Sequence, residues 1–152
     1  MSQQVQIIGQ DRINEMLRQL NEIDSNKAIK AGLRKGVNLL RRAGISRLKS
    51  RMKNPSGVTG NLLKSFTTRV KKGKPGGLAG FTLIDSVSRK NKGAHAWLVD
   101  LGTAERSRNE AGSTGRMPAL NYWTDTRNEN MGGAIDEVLK GTEEAILKIM
   151  TK

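Results

Sequence analysis

Apolar positions recur along this chain first at a helical spacing, then in short alternating runs, then at a helical spacing again. After Asp11, which reads as an N-cap, Ile13, Met16, Leu17, Leu20 and Ile23 fall on one helical face. Ser25 then reads as the cap of a longer helix. Its stripe is Ile29, Leu33, Val37, Leu40, Gly44 and Leu48, at steps of four, four, three, four and four. Gly32, Gly36 and Gly44 interrupt that helix, and each weakens it by roughly 0.5–1 kcal/mol. Their presence predicts places where another backbone packs closely. NPSG (54–57) ends the helix, because Pro55 disfavours helical geometry at Asn54. Thr59 then opens a short turn.

The period changes beyond that point. SFTTRVK (65–71) and GFTLIDSV (80–87) are rich in β-branched and aromatic types and read as strands. KKGKPGG (71–77) between them reads as a basic hairpin tip, and RKNKG (89–93) as a turn. AHAWLVDLG (94–102) reads as a third, interior strand with both faces mainly apolar. In that strand His95 and Asp100, five apart, point to opposite faces. TAERSRNEAGSTGR (103–116) has no period and reads as a long loop. The chain then returns to a helix with Ile135, Val138, Leu139, Thr142, Ala145, Ile146 and Ile149 on one side, which Gly132-Gly133 either breaks or starts.

This order predicts an α+β fold: a small antiparallel β-sheet of three to four strands packed with a long basic N-terminal helix and a C-terminal helix. At 152 residues the chain reads as a single domain. Its parts are an N-terminal helix arm (1–24), the long basic helix (25–53), the sheet (62–102), the loop (103–116) and the C-terminal helix (122–150). Apolar content of 36% and aromatic content of 3% predict a modest, aliphatic core with faces left for another subunit.

Composition removes several chemistries. The absence of cysteine excludes disulfides, thiolate catalysis and Cys-ligated zinc. A single histidine argues against a His-rich metal site. A Ser/His/acid triad would have to use His95, and no GxSxG-like elbow presents a serine to it. GKPGGLAG (73–80) lacks the lysine and hydroxyl of a phosphate-binding P-loop. No catalytic, cofactor-binding or metal residues are therefore expected, and no enzyme. The opening MSQQVQIIGQ lacks an apolar run of signal length, and no run reaches the roughly 20 residues of a membrane span. The expectation is a protein made in a reducing cytoplasm.

Charge changes the picture more than any other count. The net charge is +13, and all of the excess lies in one block. Residues 25–84 carry fifteen basic and no acidic side chains, whereas 85–152 carry ten of each. Such a block binds nucleic acid through counterion release or docks on an acidic protein surface. Aromatics are scarce within it, which argues against the interleaved pattern of single-strand binders. The candidate interaction residues are Arg34, Lys35, Arg41, Arg42, Arg47, Lys49, Arg51 and Lys53 on the helix. Lys71, Lys72 and Lys74 at the hairpin tip and Arg106, Arg108 and Arg116 in the loop complete the set.

Three segments, in order, resemble one family. NPSGVTGNLLKSF (54–66) follows a basic helix and carries a P-x-x-TGNL-like motif. HAWLVDLGT (95–103) is similar to a YAxxVExGT segment, with His95 where Tyr is usual, Asp100 where Glu is usual, and Gly102-Thr103 matching. RMPALNYW (116–123) is similar to a Met-Pro-Ala-x-x-Phe stretch that leads into a final helix. Together they resemble the small phage proteins like gene product ten of HK-type lambdoid phages, over about residues 28–150. The motif residues are Thr59, Gly60, Leu62, Asp100, Gly102, Thr103, Met117 and Pro118.

The resemblance implies a structural virion protein of the neck or tail-completion type, assembled in the host cytoplasm and carried in the virion. It implies a homo-oligomeric ring, sixfold in expectation, with DNA passing through it. It also implies partners among neck, connector or tail-tube proteins with acidic surfaces, no cofactor and no membrane. On that reading the 103–116 loop orders on assembly, and Asp100 pairs with a cation of the 25–53 helix, within the subunit or across to a neighbour. Non-specific nucleic-acid binding through residues 25–84 stays open as the alternative.

Overall fold

The computed structural model describes residues 9–52, 61–81, 93–108, 112–113 and 115–152, leaving aside the side chains of Asn61 and Arg108. The elements are α1 (Gln10–Arg18), α2 (Glu22–Arg51), α3 (Asn61–Lys64), β1 (Phe66–Val70), β2 (Gly77–Phe81), α4 (Ala96–Leu101), β3 (Ser107–Arg108), β4 (Gly112–Ser113) and α5 (Tyr122–Met150). The fold is α+β and mostly helical. Lys53, Thr59, Gly60, the NPSG stretch, most of the 80–87 strand and most of the 89–93 turn lie outside the described residues.

Two sequence expectations about the sheet are corrected. β1 pairs only with β2, and β3 only with β4, so the described strands form two separate two-stranded sheets and not one of three to four strands. The connection of residues 71–76 is closed by the Lys71 N–H donating to the Gly76 carbonyl at 2.8 Å, which makes β1–β2 a hairpin, as expected. The predicted third strand is the helix α4. Ala96 and Asp100 are buried while Trp97 and Leu101 are exposed, a three-to-four spacing that no strand produces. A run apolar on both faces carries no usable alternation, so helix and strand could not be separated there by period. The Val99 N–H reaches the His95 carbonyl at 3.1 Å and the Gly102 N–H reaches Leu98 at 2.8 Å, closing the turns.

Both long helices form where the stripes predict them: α5 has the predicted bounds, α2 starts earlier than predicted, and the start of α1 also differs. Gly9, not Asp11, precedes α1, and Asp11 sits in the first turn, where its charge suits the helix N-terminus. α2 begins before Ser25 because Asn21 caps it: the Asn21 Oδ1 accepts the Asp24 N–H at 2.8 Å. Ser25 instead donates its hydroxyl to the Leu17 carbonyl. α5 runs unbroken through Gly132-Gly133.

The chain divides into two compact units. The first comprises residues 1–41, 68–79 and 129–152. Its core is Ile13, Ala28 and Ile146, packed by Met16, Leu17, Leu20, Leu139, Ala145 and Ile149. Here the glycines of α2 do what the sequence suggested. A Cβ on Gly32 would overlap Thr142 Oγ1 and the Val138 carbonyl of α5, and one on Gly36 would lie 2.7 Å from the Ala134 carbonyl. Gly77 of β2 lies equally tightly on Val37 of α2.

The second unit comprises residues 42–67 and 80–128. Its core holds Leu48, Leu62, Ala96 and Tyr122, with Met52, Leu63, Phe81, Val99, Leu120 and Trp123 around them. The core is aromatic, contrary to expectation. Phe66, Phe81, Tyr122 and Trp123 meet edge to face at centroid distances of 4.5–6.3 Å. A low aromatic count does not dilute a core when four of the five aromatic residues share one cluster. Gly44 of α2 admits that cluster, since a Cβ there would lie 2.9 Å from the Phe66 ring.

Candidate interaction surfaces

The segments around 95–103 and 116–124 are joined into one element of the second unit. The Thr103 N–H donates to the Met117 carbonyl at 2.9 Å, and the Met117 N–H donates back to Thr103 Oγ1 at 2.9 Å. The Leu120 N–H reaches the Val99 carbonyl at 3.1 Å, and the Asn121 N–H reaches that of Asp100 at 2.8 Å. Gly102, at φ 75°, lies beneath this zipper. A Cβ there would stand 2.7 Å from both the Met117 carbonyl oxygen and the Ala119 nitrogen, so only glycine fits.

Asp100 has a different partner from the expected one. Its buried carboxylate accepts the Trp123 N–H at 2.7 Å, the Thr124 N–H at 3.3 Å and the Thr124 hydroxyl at 2.6 Å. It therefore caps the N-terminus of α5 from another segment, where the helix leaves donors unsatisfied. The expected pairing with an α2 cation is not formed among the described residues. Tyr122, the first residue of α5, is buried and donates its hydroxyl to the Ala96 carbonyl at 3.2 Å. Burial first, and the neighbouring Asp100 carboxylate second, push its phenol pKa well up.

His95 precedes α4, is exposed and makes no side-chain cap. The opposite-face argument that separated it from Asp100 on a strand falls with the strand. The Asp100 oxygens accept from α5, and Asp100 is buried where His95 is exposed. Among the described residues no group of three His, Asp or Glu side chains is placed to hold a metal ion.

The described residues of the expected loop include two short paired strands. β3 and β4 form a small antiparallel ribbon with Ser107 opposite Ser113 and Arg108 opposite Gly112. The Arg106 N–H donates to the Gly115 carbonyl at 3.2 Å, and the Ser113 hydroxyl to Glu105 at 2.7 Å. Local pairing of short polar residues replaces the apolar period that marks longer strands, which is why no pattern announced it.

The predicted basic residues fall into both units and into different states. Lys35 is paired with Glu144 of α5, and Arg51 with Asp125 at 2.6 Å as well as the Leu120 carbonyl at 2.7 Å. Lys27 pairs with Asp24, and Arg12 with Glu143. The Lys35 ammonium, by hydrogen bond and by charge, holds the Glu144 carboxyl below its ordinary value. The picture of an α2 face wholly without acids is thus corrected in part, because the acids come from elsewhere in the chain. Arg34, Arg41, Arg42, Lys49, Lys71, Lys72, Lys74, Arg106 and Arg116 are exposed, and Arg47 is half-buried. Of the other motif residues, Leu62 is in the core, Met117 is half-buried and Pro118 is exposed.

One surface escaped sequence reasoning. Trp97 and Leu101, one turn apart on α4, are each 61% exposed. Their spacing of four was the available signal, hidden by reading the segment as a strand.

No family model, no curated protein and no solved structure matches this chain.

Proposed function

We propose that this chain is a structural virion protein of a tailed phage or prophage, of the neck or tail-completion type. Its copies would form a ring at the head–tail junction through which DNA passes. The carrying observation is the use made of the motif residues. Gly102 gives way to a crossing backbone, Thr103 and Met117 lock two segments, and Asp100 caps α5. Each of these four residues is engaged in holding the fold together. Residues engaged in shaping a scaffold fit a protein whose work is assembly. The exposed Trp97–Leu101 face adds to this, because adjacent large apolar side chains in water mark contact surfaces. In a ring the contact is heterologous, with one face of each copy against a different face of the next.

Mass photometry of the purified chain, followed by particle imaging, tests the reading. The expected result is a discrete closed oligomer, with six copies the number implied by the resemblance, that Trp97→Ser with Leu101→Ser disperses without unfolding. A monomer at every concentration, absent from assembled particles, overturns it. The alternative, non-specific nucleic-acid binding, is favoured by one observation only, the lysines of the β1–β2 hairpin, which have no carboxylate partner among the described residues.

A further inference from the structure

We infer that the tip of the β1–β2 hairpin, with the Lys30–Arg34 side of α2, is a surface for the phosphate backbone of double-stranded DNA. The inference deepens the ring reading, by assigning the part of each copy that meets the duplex, and rests on it for biological setting only.

Some cations of the first unit are paired and those of the hairpin are not, among the described residues. Arg12, Lys27 and Lys35 are each neutralised, by Glu143, Asp24 and Glu144. Arg34, Arg69, Lys71, Lys72 and Lys74 are exposed and have no carboxylate partner among the described residues. Lys30 Nζ is bound to a neutral group, the Lys72 carbonyl at 2.6 Å. That bond ties the tip to α2. It sets three lysines of a six-residue turn beside Lys30 and its i+4 neighbour Arg34. Like charges so close repel, and nothing described in the unit offsets them. A polyanion does, and duplex DNA presents one charge per ~1.7 Å of its axis.

The composition of the tip decides which polyanion. No aromatic residue lies between Arg69 and Gly80, so there is no platform on which unpaired bases could stack. Lysines are point charges on flexible stems. They contact phosphates without the planar fork that reads a guanine edge, so binding is independent of sequence. An acidic protein partner fits less well, because protein interfaces deplete lysine and centre on aromatic anchors. Leu78 is the one large apolar side chain exposed on the described hairpin.

The test uses the full chain and a short labelled duplex of mixed sequence, with fluorescence anisotropy over a salt series. The wild type is expected to bind at low salt with a steep dependence of log K on log salt. Lys71→Gln/Lys72→Gln/Lys74→Gln keeps the Lys72 carbonyl and so the anchor. It should lower the slope by about one unit for each lysine that meets a phosphate. A charge-matched control, Lys64→Gln/Arg127→Gln/Lys148→Gln, removes three exposed cations elsewhere. An equal loss of slope in the control overturns the assignment, as does absence of binding by the wild type at low salt. Tighter binding to a polyglutamate of matched charge overturns it in favour of an acidic protein. Circular dichroism confirms that the variants fold. Mass photometry on the same samples separates the two readings: rings that do not bind duplex overturn this inference and leave the assembly reading standing. Hairpin-dependent binding by a chain that never forms rings supports the surface and removes the assembly reading.

Discussion

Asp100 caps a helix it does not belong to: its carboxylate holds the Thr124 hydroxyl at 2.6 Å and the Trp123 N–H at 2.7 Å, at the head of α5. Its oxygens satisfy three donors that the helix N-terminus and Thr124 would otherwise leave without partners. Replacing it by alanine removes the acceptor and strands those donors. Asp100→Ala should cost about 2 kcal/mol, in the range for a lost cap plus buried unsatisfied groups. Asp100→Asn, which keeps one acceptor oxygen, should cost less. Urea denaturation of the two variants checks the order; equal and negligible losses would mean that Asp100 does not cap α5.

Gly102 and Gly112 offer a controlled comparison, because both have positive φ, 75° and 70°. An alanine at Gly112 meets open space, so it bears only the left-handed strain of about 1–2 kcal/mol. An alanine at Gly102, at φ 75° and ψ −174° in a region essentially restricted to glycine, is strained further and also collides with backbone at 2.7 Å on two sides. Backbone cannot rotate away as a side chain can. Gly102→Ala should therefore lose well over the cost of Gly112→Ala, on the order of 3 kcal/mol or more. Thermal unfolding of both variants measures the difference.

Legibility in the sequence followed the strength of the period. The stripes Ile29–Leu48 and Ile135–Ile149 announced α2 and α5, and Gly32 and Gly36 announced the tight contact that Thr142, Val138 and Ala134 supply. The segment 94–102 misled because hydrophobicity on every side erases the phase that separates a helix from a strand. Asp100 stands out in the sequence only as an acid within an apolar run, and its partner in α5 is unreadable there. Helix-terminal N–H groups are not side chains, and no residue count reveals them. Partners such as Glu144 for Lys35 lie 109 positions away, so only tertiary structure brings them together. The aromatic core was missed for a related reason: composition averages over the chain, whereas packing gathers.

Tyr122 makes stability fall at alkaline pH. Its folded pKa is raised above the ordinary value of 10.0, so the fold keeps a proton that the unfolded chain releases. The contribution is therefore intact below about pH 10. It is lost as pH rises above that, at up to about 1.4 kcal/mol per pH unit. Tyr122 is the sole tyrosine, so its ionisation is directly visible. Tyrosinate absorbance should appear together with loss of the fold and not before it. Tyr122→Phe, which forfeits the bond to the Ala96 carbonyl, should be less stable than wild type by about 1 kcal/mol near neutrality. The two stabilities should converge above pH 10. Tyrosinate absorbance in a chain that is still folded, rising near pH 10, would contradict the burial and hydrogen bonding described for this residue.

Glycines in the two long helices should respond to alanine with opposite signs. Gly132 and Gly133 lie inside α5 with nothing within 4 Å of an added Cβ. There the substitution only raises helix propensity and narrows the unfolded ensemble, so each should stabilise by about 0.5–1 kcal/mol. Gly32 gains the same propensity in α2. Its new methyl group, however, would overlap Thr142 Oγ1 and the Val138 carbonyl. Thr142 cannot simply turn away without giving up the bond its hydroxyl donates to that same carbonyl, at 2.8 Å. The two helices must then separate or the site must deform, which costs about 1–3 kcal/mol. Gly32→Ala is thus expected to destabilise although it improves the helix, and Gly133→Ala to stabilise. Midpoints of chemical denaturation for the two variants read the signs directly. A stabilising Gly32→Ala would mean that α2 and α5 do not approach at this point.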